Sequence, residues 1–407
     1  LELSQGALNR RRLFQLTSGH LEKQGYRIQV LNTSEIEKSF SYNPLARVTS
    51  EKEAKQIADI LIECAFADSG GDQQFWNAGA SMAINLLIRV LLKEDPKYKT
   101  LHNLKHLLDQ FGSGGEELDQ LFLKQEDERL FSEWKSFIAQ ADKVKQSMIS
   151  TAKTALEKFS DPELSKLCSG QEQPLDLESL RKERTATFIV SREDKIPYYS
   201  FIYRLLYTEV FEKLMDMPKK EDLPVFLFLD EFANVGKLPN FSAYATTIRK
   251  RRVAMMVVLQ ELSQLEGLYG KNNADTILFG GMANKIFYPG LGHETTKRIS
   301  EMLGSSPAHF IVGGRPEVKE RPLMTATEVR TMHDHEAIYM YANQRPLKFR
   351  LLPFFKSRRL RKLSELPSPV IRSGLSQVQL AYLPIPIKPN APSGLDDPTI
   401  PDIDIGL

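Results

Sequence analysis

Two adjacent carboxylates after five apolar residues are the sharpest chemical signal in the chain: Val225-Phe226-Leu227-Phe228-Leu229-Asp230-Glu231. The apolar run predicts a buried central strand whose acids emerge at its C-terminal edge, where open α/β sheets bind ligands. A Walker B element has this form: Asp230 holds magnesium through a coordinated water, and Glu231 polarises the water attacking a γ-phosphate. Carboxylates also suit the positive end of a helix, so a strand running into an acidic helix N-terminus satisfies the same pattern. The next apolar run, Val253 to Leu259, ends in Gln260. A polar residue at that strand edge suits a sensor of the γ-phosphate or of the lytic water; the plainer role is a cap on a helix starting at Glu261. Between the two runs, Arg249-Lys250-Arg251-Arg252 closes a helix. Cations there are favoured by the helix dipole. In an oligomeric ring the same place presents an arginine to the neighbouring subunit's nucleotide.

Other candidates carry less. The phosphate-loop pattern GxxxxGK[ST] does not occur. Gly112-Ser113-Gly114-Gly115 is followed by Glu116-Glu117 and reads as a flexible turn. A nucleotide site would therefore need a phosphate loop lying before Leu1, and this chain alone is expected to be inactive. His333 and His335 flank Asp334, with Glu336 next, in a spacing that matches no zinc pattern and reads as an exposed polar loop. Ser147 and Ser150 lack a nucleophile elbow. The basic run Lys356-Ser357-Arg358-Arg359-Leu360-Arg361-Lys362 follows Phe354-Phe355, as either a contact for nucleic-acid or lipid phosphates or a solvated surface.

Periodicity gives the helices and strands around these residues. Leu8 to Gln24 has helical apolar spacing, Gly25 reads as a stop, and Tyr26 to Leu31 alternates as a strand. Ser50 and Glu53 predict a capping box opening a helix through Leu61. A second helix is expected from Phe75-Trp76 to Leu92, before Asp95-Pro96. From Lys97 to Glu172 leucines and aromatics recur at helical spacing with no strand pattern, so this stretch reads as a helical insertion. Apolar runs then return at Thr185 to Val190, Val225 to Leu229, Val253 to Leu259 and Lys285 to Tyr288. Such unalternating runs suit buried parallel strands with crossover helices between them. Pro367, Pro369, Pro384, Pro386, Pro389, Pro392, Pro398 and Pro401 crowd the end, predicting an extended tail or strap.

Composition bounds the rest. A length of 407 residues predicts two domains plus appendages. With 42% hydrophobic and 26% charged residues the chain reads as soluble and globular, excluding collagen-like, disordered and polytopic membrane classes. Lys and Arg number 54 against 52 Asp and Glu, net +2, so any nucleic-acid contact must come from local clusters. Cys64 and Cys168 form no CxxC pair, which removes a disulfide framework and points to a reducing compartment. The longest apolar run, Ala83 to Leu92, is too short to cross a bilayer. Leu1 in place of methionine reads as a piece of a longer protein.

Taken together, ordered blocks of the chain resemble the VirD4/TraG-type coupling proteins of type IV secretion and conjugation systems. The blocks are Leu16-Thr17-Ser18-Gly19-His20-Leu21 with Tyr42-Asn43-Pro44-Leu45; Phe75-Trp76-Asn77-Ala78-Gly79-Ala80; Leu229-Asp230-Glu231-Phe232-Ala233-Asn234-Val235-Gly236-Lys237-Leu238; Leu259-Gln260-Glu261-Leu262-Ser263-Gln264-Leu265 before Tyr269-Gly270; Glu294 to Ser300 with Leu303-Gly304; and Arg321-Pro322-Leu323-Met324 with Glu328-Val329-Arg330. The resemblance implies an α/β fold: a RecA-like, mostly parallel sheet flanked by helices, with an all-α insertion. The Pro-rich C-terminal tail lies outside it. Residues 1–94 and 179–365 would form the nucleotide-binding domain, 95–178 the insertion and 366–407 the tail. It further implies ATP and Mg as cofactors, Asp230 and Glu231 in Walker B roles, Gln260 near the γ-phosphate and Arg249 as the candidate finger, with the choice within Arg249–Arg252 left open. The whole protein would be a hexameric ATPase on the cytoplasmic face of the bacterial inner membrane, held by an anchor missing from this chain. It would recruit relaxosome DNA or secreted proteins and pass them to the secretion channel. A non-hydrolysing scaffold that docks substrates or chaperones is the alternative. The departures are the missing Walker A, the missing membrane helices and His293 where an acid is expected.

Overall fold

The computed structural model describes residues 8–66, 73–112, 115–312 and 315–385. Prolines from Pro386 onward and Ser113-Gly114 of the glycine-rich turn lie outside the described residues. The chain divides into two compact units, one carrying the described parts of Leu1–Pro44, Glu63–Ala65 and Asp161–Gln379, the other those of Leu45–Ile62, Phe66–Ser160 and Leu380–Leu407.

Along the chain the elements are α1 (Leu8–Lys23), β1 (Arg27–Asn32), α2 (Glu51–Ala65), α3 (Gln74–Lys93), α4 (Leu101–Asp109), α5 (Asp119–Leu123), α6 (Glu128–Ile138), α7 (Asp142–Ala155), α8 (Pro162–Leu167), β2 (Thr185–Val190) and α9 (Ile196–Leu214). They continue with β3 (Val225–Leu229), α10 (Phe241–Thr247), β4 (Val253–Val257), α11 (Leu262–Tyr269), α12 (Lys271–Asp275), β5 (Asn284–Phe287), α13 (His293–Leu303), β6 (Ser305–Val312), β7 (Arg315–Pro322), α14 (Ala326–Arg330), β8 (Glu336–Tyr341), β9 (Leu347–Arg350) and α15 (Arg358–Ser364). The Ser50–Glu53 capping box opens α2, with both reciprocal bonds made. No strand lies between Lys97 and Glu172 among the described residues.

In the first unit β1 pairs parallel with β2 and β3 parallel with β4. The one continuous parallel sheet expected from sequence is thus divided into small parallel pairs. Two further expectations are corrected. The Lys285–Tyr288 run is not a parallel strand: β5 pairs antiparallel with β8, which pairs with β9, and Phe287 and Ile338 close a core with Ile299, Leu303 and Val329. Nor is the Val225–Leu229 strand buried on both faces. Val225 and Leu229 are buried, while Phe226 and Phe228 are 65% and 66% exposed, beside exposed Met256 of β4. A strand's side chains alternate between faces, and among the described residues only one face of this pair is covered.

The second unit is helical. It begins at Leu45, earlier than the composition shift near residue 95, because α3 supplies the apolar surface against which α4, α6 and α7 pack. Gly79 lets α3 approach α7 closely, since a Cβ there would lie 2.3 Å from Met148 Sδ. The helix is 20 residues, twice the run noted in sequence, and is long and apolar enough to cross a membrane. Here its apolar side chains, Ile84, Leu87 and Leu91 among them, are buried in the unit. Its buried Arg89 pairs with Glu133 and, at 2.7 Å, with Glu51, which compensates the desolvated charge. Trp134 of α6 stacks on Phe122 of α5 at 4.2 Å and donates its indole N–H to Asp119 at 2.8 Å.

After α15 the chain is extended apart from a short turn at Leu375–Gln377. Ala381 to Leu383 then lie along α4 as a strap. Asn103 donates to the Ala381 carbonyl at 2.9 Å and accepts the Leu383 N–H at 2.8 Å. Tyr382 stands edge-on to His102 and His106, and Leu383 is buried.

Candidate nucleotide-hydrolysis site

Asp230 and Glu231 come directly after β3, at the C-terminal edge of the parallel pair. The register sets Leu229 opposite Val257, and the ladder continues past it, with Val258 N–H to the Leu229 carbonyl and Phe232 N–H to the Val258 carbonyl. Gln260, three residues beyond the end of β4, therefore emerges at the same edge as the two acids. The backbone turns sharply at Glu231, which adopts a left-handed conformation (φ 47°, ψ 45°). From there the chain enters a four-residue 3-10 turn, Phe232–Val235, and not an α-helix. The reading in which these acids merely serve a helix dipole thus loses its helix.

An aromatic cluster holds the turn from below. Phe232 is buried, 4.4 Å from Phe241 of α10 and stacked on Tyr269 of α11; Phe241 in turn meets Phe211 of α9 at 5.7 Å. The Tyr269 hydroxyl accepts the Leu238 N–H at 2.9 Å, and burial pushes its phenol up to about 12. With Phe232 fixed in this way, Asp230 stays exposed at the edge. Glu231 accepts a 2.7 Å hydrogen bond from the Asn234 side-chain amide.

Helix α9 adds two residues that sequence reading passed over. Burial raises the Tyr207 phenol above its ordinary range, with Tyr203 and the nearby Asp230 carboxylate adding to the shift. Arg204, one turn earlier, donates to the Val235 carbonyl at 3.1 Å. Its guanidinium packs over Gly236, where φ is +88° and a Cβ would lie 2.4 Å from the nearest guanidinium nitrogen. Their i, i+3 spacing on one helix face was the available signal, masked by the wide apolar face of α9.

On the neighbouring strand, the capping duty falls on residues other than Gln260. Glu261 occupies the N-cap of α11, and the Gln264 side chain accepts the Gln260 N–H at 3.1 Å. The Gln260 side chain is exposed. Glu261 accepts from the Gly292 N–H at 2.6 Å and from the Thr295 hydroxyl, tying this edge to the start of α13.

Arg249 is not brought to the acids. It lies in the 3-10 turn Ile248–Arg251 before β4, and the Val225 N–H bonds the Arg252 carbonyl there. That is the N-terminal edge of the pair, about 16 Å of strand from the acids. Arg251 donates to Met215 and Thr247 carbonyls and Arg252 to those of Lys219 and Lys220, whereas Arg249 and Lys250 are exposed. Among the described residues no three His, Cys, Asp or Glu side chains gather as a metal site.

The family model for type IV secretory system conjugative DNA transfer matches residues 10–377. The chain belongs to that family. Protein VirD4 of Rhizobium radiobacter is 22% identical over 402 residues, 90% of this chain and 56% of its own length. Protein VirD4 of Agrobacterium fabrum is 28% identical over 211 residues, covering 47% of this chain and 31% of its own. The chain thus spans from 31% to 56% of the length of these relatives. Among solved structures, the unbound conjugative coupling protein TrwB superposes with a TM-score of 0.61 at 17% identity, covering 80% of this chain and 73% of that one. TrwB in complex with ADP and Mg2+ gives 0.60 at 16% identity, with 80% and 74% covered. The α/β fold, with its small parallel sheets and helical insertions, is that of the TrwB coupling-protein architecture.

Proposed function

We propose that this chain is the Walker B portion of an ATP-driven coupling protein that recruits DNA or protein substrates and passes them to a type IV secretion channel. The observation that carries this reading is the shared strand edge: Asp230 and Glu231 after β3, with Gln260 after the parallel neighbour β4. Mg fits the side chains present, while no GxxxxGK[ST] loop for the phosphates of ATP occurs in this sequence. Magnesium keeps several waters and takes one or two carboxylates, which suits the exposed Asp230. When bound, ATP with Mg supplies a cleavable γ-phosphate with its charge neutralised. Glu231, in its turn against Asn234, would orient and deprotonate a water, and Gln260 would supply a polar contact for the γ-phosphate. Arg249 faces outward from the opposite edge, so it acts only on a neighbouring subunit's nucleotide in a hexamer. By chain order, residues 1–94 and 179–365 are assigned to the RecA-like nucleotide-binding domain, 95–178 to the all-α insertion and 366–407 to the tail, although α3, from the first of these segments, packs with the insertion helices. The whole protein works at the cytoplasmic face of the inner membrane.

The test is Glu231→Gln in the full-length protein. ATP turnover is expected to fall by at least about a hundredfold, in line with removing a general base, while nucleotide binding is retained. Turnover unchanged from the parent would remove Glu231 from the mechanism and favour a non-hydrolysing scaffold.

A further inference from the structure

We infer that the segment Leu352–Lys362, the turn before α15 together with its first residues, is a docking surface for an anionic lipid bilayer. Five cations, Lys356, Arg358, Arg359, Arg361 and Lys362, are all exposed within it, and α15 has no buried residue. The nearest carboxylate in sequence, Glu365, meets only the edge of this cluster, 3.7 Å from Arg361. Three large apolar side chains stand in water just ahead of the cations, Leu352 at 69%, Phe354 at 43% and Phe355 at 52% exposure, and a fourth, Leu360 at 46%, lies among them. Cations alone describe an ordinary solvated face. Cations mixed with exposed leucines and phenylalanines describe a segment that seats apolar groups at the headgroup–acyl boundary while its charges meet lipid phosphates.

Charge complementarity and side-chain type together decide the occupant. Nucleic acid offers the same phosphates, but binds exposed aromatics by stacking bases on their flat faces. Here Phe354 and Phe355 stand edge-on to each other, at 78° and 5.7 Å, and the two exposed leucines have no counterpart on a base. An acyl boundary accommodates all four. The chain as a whole carries only +2, so the attraction is local to this segment. The inference is independent of the hydrolytic site.

The experiment is co-sedimentation of the chain with phosphatidylcholine vesicles and with vesicles also containing phosphatidylglycerol. A duplex oligonucleotide serves as competitor. Binding is expected to the anionic vesicles only. Arg358→Gln/Arg359→Gln should weaken it about 30-fold, as the loss of two surface cations implies. Phe354→Ser/Phe355→Ser should also weaken vesicle binding, while leaving any oligonucleotide binding unchanged. None of these side chains is buried, so a thermal melt like the parent's is expected for both variants. Equal binding to both vesicle types would overturn the proposal, as would no vesicle binding or parental binding by either variant. A chain that prefers the oligonucleotide, and loses it with the arginines, would assign the surface to nucleic acid instead.

Discussion

Glu231 sits in a left-handed backbone conformation (φ 47°) between a strand and a 3-10 turn, a position that favours glycine or asparagine over glutamate. The turn is held by the buried Phe232, by Asn234 on the carboxylate and by Arg204 on the Val235 carbonyl. Gly236 completes it, with its own positive φ and with the Arg204 guanidinium lying where a Cβ would go, so that a side chain there would have to displace it. Gly236→Ala is therefore expected to cost about 1–3 kcal/mol, read as a lower denaturation midpoint. In an Arg204→Ala background the penalty of Gly236→Ala should shrink to its backbone share; a penalty equal to that in the parent would mean that Arg204 does not pack there. That the two acids and Gln260 follow the ends of strands was legible because a short apolar run followed by polar residues is a local pattern. Arg204 and Tyr207 were not, because their relation to the acids spans more than twenty residues of chain.

At the scale of elements, the strap along α4 joins His102 to Ala381 across most of the sequence. The His102 Nε2 lies 3.1 Å from the Ala381 carbonyl and donates to it, while its Nδ1 is buried with no partner among the described residues. Burial foremost, and then the neighbouring His106, lower the affinity of this imidazole for a proton, against the opposing pull of the carbonyl. Thr100, Asn103 and Tyr382 complete its surroundings and bring no carboxylate. A lowered histidine pKa favours the docked strap above the ordinary value of about 6.5, and that preference is lost as pH falls below it. Protection of the Leu383 amide in hydrogen exchange, corrected for the intrinsic rate, should fall between about pH 7.5 and about pH 5. Protection that is flat across that range would show that His102 does not couple to the strap. Sequence reading placed an extended strap here from its prolines, yet the surface it lies on could not be read: α4 is marked by periodicity only as a leucine helix.

For the whole molecule, a net charge of +2 gives no field able to hold DNA on a single chain. If the proposed hexamer gathers local basic loops around a common axis, DNA affinity should fall steeply with salt in the assembled full-length protein and be weak in its monomer. Equal binding by both forms would exclude that route.

The order of residues settled whatever depends on near neighbours. The helices of the insertion, the capping box at Ser50, the strand that ends in two acids and the family blocks in their order are all local signals. Features that depend on distant partners were set by the folded chain. Among the described residues, folding left one face of β3 open at Phe226 and Phe228, turned β5 antiparallel, set Arg249 at the edge opposite the acids and laid Ala381–Leu383 on α4. The physical reason is that periodicity states which face of an element is apolar, whereas the element that covers that face is chosen by packing between segments far apart in the chain.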